Sequence, residues 1–273
     1  MPDDCAALDV QGRAFLVRTL GVPAYDFDPR PYFPCRSLRP DEERTGVIAR
    51  IGALVDYDAT YAVLEERGLR LVNDPEQHRV ASTLSGWYPA LESLTPRSVV
   101  FETFPSNEAV ARSVGFPVFV KGDRQTHAHR ASTTSARDAA ALDLLRRAWF
   151  EDPVLCWQPV AVRELVALEP LAVTHVGDRV PPSVELRAFF LEGRLVGFGP
   201  YWWAHADAMP TNLDGARALA EEAARRVDVP FLVVDVARRD DGRWIVIECN
   251  DGQEAGHAGI RPLALWSAIV TAS

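Results

Sequence analysis

The chain is 273 residues long, 48% hydrophobic and 25% charged, which excludes a mainly disordered or fibrous protein and predicts one large or two modest folded domains. Its 38 acidic against 29 basic residues give a formal net charge of -9, the opposite of the basic footprint of a nucleic-acid binder. The start, MPDDCAALDV, lacks the basic and apolar regions of a secretory leader, no run of about 18 apolar residues occurs, and Cys5, Cys35, Cys156 and Cys249 lie far apart, so the expectation is a reduced, cytoplasmic protein without a membrane span.

In chain order the pattern is mixed α/β. The segment 23–40, rich in proline and aromatics, reads as an extended loop laid over a surface. GVIARIGALV (46–55) reads as a buried strand or short helix, Asp58 to Arg67 as a helix ended by Gly68, and LRLVN (69–73) as a short strand. Glu76 to Leu84 reads as a helix, Ser98 to Phe101 as a strand, and Ser106 to Ser113 as a helix with Ser106 as N-cap, closed by Gly115. FPVFVKG (116–122) is a strand that ends on Lys121. Ser135 to Phe150 is a long amphipathic helix with Leu142, Leu145 and Trp149 on one face. The last third is strand-rich and then helical.

Two hairpins can be registered from the sequence. In FLVVDVARRDDGRWIVIECND (231–251), Asp241-Gly242 between apolar runs is a two-residue turn signal. That turn places Asp235 opposite Glu248 and Val233 opposite Asn250, so Asp235, Glu248 and Asn250 share one sheet face, together with Trp244 and Val246. A site offering only oxygen donors suits a hard cation, Mg²⁺ or Mn²⁺, held with substrate phosphates; the alternative is a solvent-facing acidic pair. In VELRAFFLEGRLVGFGPYW (184–202), a Glu192-Gly193 loop sets Arg187 across from Phe198, on one face with Glu185 and Phe189. An arginine there requires a carboxylate or a phosphate as partner.

Lys121 is the single lysine among the 29 basic residues, and it stands where a buried strand enters the polar loop GDRQTHAHRAS (122–132). An ammonium there can meet a phosphate as a point charge. His127 and His129 in this loop read as solvated side chains in preference to metal ligands. Trp202, Trp203 and His205 read either as packing or as the wall of an acceptor pocket.

These motifs, in this order, resemble the ATP-grasp superfamily over roughly residues 70–258. FPVFVKG is similar to its phosphate-binding strand with Lys121, VLCWQPV (154–160) to the hinge where Gln158 and Val160 would meet adenine, and VELRAFFLEGRLVG to the strand pair whose arginine, Arg187, contacts phosphate. The hairpin 231–251 resembles the family's metal site, with Asp235, Glu248 and Asn250 at the ligand positions, and ECNDGQEAG resembles the clade labelled by two arginines and one lysine. The loop after the lysine departs from the family's glycine-rich pattern. No second lysine exists; Arg79 stands near its place, as a substitute or as a helix-surface arginine. Arg163 and Glu164 are placed either near the ribose or on the surface, and Gln253, Glu254, Gly256 and His257 follow the metal hairpin as candidate lining of the acceptor site.

The resemblance implies an α/β pre-ATP-grasp domain (1–95), a small ATP-grasp lobe (96–160) and a large α+β lobe (161–273). It implies an ATP- and Mg²⁺-dependent, ADP-forming ligase joining small-molecule or peptide carboxylates to an amine or thiol through an acyl phosphate. The rivals are a phosphotransferase on a small molecule and an ATP-binding regulatory module without turnover.

Overall fold

Gln11 and Gly12 both lie at positive φ (52° and 93°), and this two-residue turn folds β1 (Cys5–Val10) back on β2 (Arg13–Arg18). In the computed structural model, which describes residues 5–18, 28–39, 42–54, 56–124, 131–172 and 180–272, the pair is extended by β3 (Cys35–Ser37), β4 (Arg44–Arg50) and, after helix α1 (Tyr57–Glu65), β5 (Leu69–Leu71). The order is β3-β1-β2-β4-β5, with β4 parallel to both its neighbours. The segment 46–55 is thus strand rather than helix. Residues 19–27 and 40–41, most of the proline-rich segment's start and its end, lie outside the described residues.

Asp74 caps α2 (Pro75–Ser82) in a reciprocal capping box with Gln77. The single helix expected over 76–84 is interrupted at Thr83, which is extended (φ -116°, ψ 142°) and whose hydroxyl caps α3 (Leu84–Leu91). That break frees the Leu84 N–H to donate to the Asp123 carbonyl, two residues past Lys121.

The middle sheet runs β6-β9-β7-β8, all antiparallel, from β6 (Ser98–Phe101), β7 (Val118–Gly122), β8 (Ser135–Ala136) and β9 (Val160–Glu164). Between these strands lie α4 (Asn107–Ser113, N-capped by Ser106), α5 (Ala131–Thr134) and α6 (Ala139–Glu151). The helix expected over 135–150 begins only at Ala139, because Asp138 caps it and 135–136 pair with β7. Leu142, Leu145 and Trp149 bury against Val118, Val120, Val160 and Val162.

The third sheet, β11-β10-β12-β13, is antiparallel and comprises β10 (Glu185–Leu191), β11 (Arg194–Pro200), β12 (Phe231–Arg238) and β13 (Trp244–Asp251). Helix α7 (Asp214–Val227) covers one face, with Ala216, Ala220, Ala223 and Val227 packed with Leu232, Val234, Val236 and Val246. On the other face Phe189, Leu191, Phe231 and Val233 bury under α8 (Pro262–Thr271) and the first sheet, where Trp266 meets Phe15 at 4.6 Å between centroids. Deleting an aromatic this buried typically costs about 3–5 kcal/mol, so this contact holds the first sheet to the third. The apolar cover ends at Phe189 and Val233. The next residues on that face are Arg187 and Asp235, where the site begins. Among the described residues no helix is long and apolar enough to cross a membrane.

Candidate active site

Asp235 lies opposite Glu248 and Val233 opposite Asn250, as the turn signal predicts. The route to this register differs from the expected one. The loop is Asp240-Asp241-Gly242, since the Arg239 N–H donates to the Arg243 carbonyl, and only Gly242 takes positive φ (84°). This shifts the pairing by one, and a β-bulge at Ile247 shifts it back. Residues before the bulge are therefore flipped. Trp244 and Val246 lie on the α7 face, not with Glu248; Val246 joins the core there, and Trp244 lies under the Arg238 guanidinium at 5.7 Å. The displaced carbonyls are captured from behind: the Thr95 hydroxyl donates to Val246 O (2.8 Å), and Arg163 donates to Ile247 O (2.6 Å) and to Thr95 Oγ1 (2.6 Å). Arg163 is neither near a ribose site nor on the surface. It is a buried strut from β9 to the bulge, and burial brings its pKa down to about 10.

Arg187 faces Asp235 across β10 and β12 and binds it with both arms (2.8 and 2.8 Å), while also donating to the Gly256 carbonyl (2.9 Å) and covering the Tyr201 ring at 5.0 Å. In the other direction it opposes Gly199, not Phe198, because a bulge interrupts the hairpin between Phe189 and Phe190. The expected Glu192-Gly193 turn is present with both residues at positive φ. At Gly199 any Cβ would lie 2.9 Å from Ile260, so glycine is required for the chain around 260 to close over β11. Burial raises the Asp235 carboxyl and Arg187 pulls it back; burial lowers Arg187, but Asp235 outweighs that and keeps the guanidinium charged.

Lys121, 4% exposed, crosses from the middle sheet and donates to Glu248 Oε1. Asp235 and Glu248 thus each hold one cation, brought from different strands. Among the described residues no group of three His, Cys, Asp or Glu side chains could hold a metal alone. The trio Asp235, Glu248 and Asn250 instead offers two carboxylates and an amide from one face, a donor set that fits Mg²⁺ or Mn²⁺.

Gln158 is buried and spans the hinge: its Oε1 accepts from the Arg124 N–H (3.0 Å) and its Nε2 donates to the Val154 carbonyl (2.6 Å). Val160 pairs with both Phe101 and Gly122 in the centre of its sheet. Arg79 stands apart from these residues. It is half exposed and ion-paired with Asp58 and Glu76, the contacts of a helix-surface arginine. Its neighbour His78 turns inward. Arg124 Nη2 carries only hydrogens, so His78 Nε2 accepts from it (3.2 Å) and Nδ1–H donates to Asp251 (3.0 Å), with the Tyr57 ring stacked at 3.8 Å. Gln253 Nε2 donates to the Tyr57 hydroxyl (2.8 Å), and Glu254 accepts from the Leu54 N–H (2.8 Å). Arg50, fully buried, donates to the Gly252 and Ala255 carbonyls and to His257. Asp251, His78, Arg124 and Arg50 are site-forming residues that sequence reasoning misses. The available signal is Asp251 itself, one residue past the hairpin trio. His127 and His129 lie outside the described residues.

Glu185 lies on the Arg187 face opposite Ala237, accepting from the Ser183 hydroxyl. Burial lifts its carboxyl to about 7; the Ser183 hydroxyl opposes the rise and the Asp235 charge adds to it. The folded state then holds this proton more tightly than the unfolded chain. Its favourable contribution is complete below the usual value of 4.5 and declines as pH rises to about 7. Glu185→Gln should therefore gain thermal stability relative to the parent chain over that window and hold the gain above it. Parallel melting temperatures across the window would show that Glu185 does not titrate there.

Fold and site together define an ATP-grasp domain preceded by an α/β region. The chain belongs to the ATP-grasp domain family numbered 3 in the clade labelled by two arginines and one lysine, whose model matches residues 77–269. The RimK domain protein ATP-grasp from Sphaerobacter thermophilus DSM 20745 is similar in structure, with a TM-score of 0.56, 16% identity, and coverage of 86% of this chain and 82% of that one. The ADP complex of purK, N5-carboxyaminoimidazole ribonucleotide synthetase, has a TM-score of 0.55 at 12% identity, covering 78% of this chain and 54% of that one. Among curated proteins none matches.

Proposed function

We propose that the protein is an ATP- and Mg²⁺-dependent ligase that activates a carboxylate as an acyl phosphate and joins it to an amine or thiol, releasing ADP and phosphate. The observation that carries this reading is the paired-charge cluster: Lys121 on Glu248 and Arg187 on Asp235, with the two carboxylates directly opposite in one hairpin. Family membership and the named activity of the structurally similar synthetase support it.

A divalent ion held by Asp235, Glu248 and Asn250 would supply charge neutralisation at the phosphates. Lys121 and Arg187 are fixed cations beside that position, buried where the low dielectric strengthens them. Phosphoryl transfer depends mainly on placement and charge, so no side-chain nucleophile is required. Gln158 and Arg124 tie the segment after Lys121 to the hinge, which holds the ammonium in register.

The test is product analysis. The protein is incubated with ATP, MgCl₂ and the common amino acids as both carboxylates and amines. ADP and free phosphate in equal amounts, with a condensed amide in the mass spectrum, is the expected result. A phosphorylated product without free phosphate would replace the ligase with a phosphotransferase, and no nucleotide turnover with any of these partners would count against both.

A further inference from the structure

Three carboxylates occupy the polar half of one face of the third sheet. Asp235 is bound by Arg187 and Glu248 by Lys121. Glu185, two residues from Arg187 on the same strand face, accepts from the Ser183 hydroxyl, and among the described residues no lysine or arginine pairs with it. Arg187 cannot serve, since its donors go to Asp235 and the Gly256 carbonyl. The Tyr201 N–H donates to the Glu185 carbonyl, which places Tyr201 next to it across the β10–β11 pair, with Trp202 set edge-on to Tyr201 at 5.4 Å. The corner therefore has a carboxylate floor and aromatic walls, the surroundings that recognise an organic cation.

We propose that Glu185, with Ser183, Tyr201 and Trp202, forms the subsite for a primary ammonium, the amine partner of the ligation. The proposal rests on the ligase reading and names the class of its second substrate. Tyr201 joins the two halves of the site, because Arg187 lies over its ring on the Asp235 side. A carboxyl held near neutrality by burial is also matched to take a proton there. The bound ammonium gives one proton to Glu185. The freed nitrogen lone pair forms the C–N bond at the acyl phosphate carbon. The C–O bond to phosphate breaks with its electron pair on phosphate, and the second nitrogen proton leaves with that phosphate.

The experiment is an NMR titration of the full chain with glycinamide, a primary ammonium without a carboxylate, and with uncharged acetamide. The parent chain should bind glycinamide saturably and acetamide not at all. Glu185→Gln, of equal size, should weaken glycinamide at least tenfold, and Glu185→Asp should recover part of the loss. MgADP binding is followed in the same samples and should be unchanged in both variants, which also shows that they are folded. Equal glycinamide binding by the parent and Glu185→Gln, or none by the parent while MgADP binds, overturns the subsite. Failure of MgADP to bind the parent chain strikes the ligase reading instead, and glycinamide still decides the subsite.

Discussion

Lys121→Ala is expected to lower ATP-dependent turnover by about 10³-fold, the upper range for removing one preorganised donor from a developing negative charge. Lys121 is the only lysine, is buried, and reaches Glu248 from a strand that belongs to another sheet. Alanine removes both the charge and the link between sheets. The fold should survive, because Glu248 is about a quarter exposed (24% for its side chain) and water can reach it once the ammonium is gone. Steady-state ADP release and a melting curve on one preparation separate the two effects. Turnover within threefold of the parent chain would remove Lys121 from the chemistry.

Arg187→Met should destabilise the protein by about 3–5 kcal/mol, because it leaves the buried Asp235 carboxylate without its partner. Both side chains are buried, and the pair is bidentate at 2.8 Å. The loss should shrink on acidification, since Asp235 alone can accept a proton that Arg187 no longer opposes. Combining Arg187→Met with Asp235→Leu should recover most of the stability, as apolar replacements of buried ion pairs often do, and still leave no activity. Denaturant unfolding of the parent, the single variant and the double variant is the check. A double variant less stable than the single one would mean that the two residues contribute separately rather than as a pair.

The trio on β12 and β13 was legible because hydrophobic alternation and one Asp-Gly signal determine which residues face each other. That success contains a cancellation: the three-residue loop and the bulge at Ile247 shift the register in opposite senses. Where no second shift intervenes, as in the β10–β11 pair, the expected partner of Arg187 is one residue out. Lys121 was legible by rarity and by its strand. The network of His78 with Asp251 and Arg124, and Arg50 on the 252–257 segment, was not legible. These residues are far apart in sequence and meet only when the first sheet packs on the third. Arg163 was misplaced for a related reason. Single-sequence patterning treats an arginine as a surface or ligand residue, while here it satisfies carbonyls that the bulge removes from their ladder.

The central claim is that Asp235, Glu248 and Asn250 hold a divalent ion beside a nucleotide whose phosphates meet Lys121. It is tested most directly by a crystal structure of the chain with a non-hydrolysable ATP analogue and Mn²⁺, located by its anomalous signal. The account predicts the Mn²⁺ peak against the oxygens of that trio and a phosphate oxygen in hydrogen-bond reach of the Lys121 ammonium. A metal peak on other residues, or a bound nucleotide with its phosphates remote from Lys121, would contradict it.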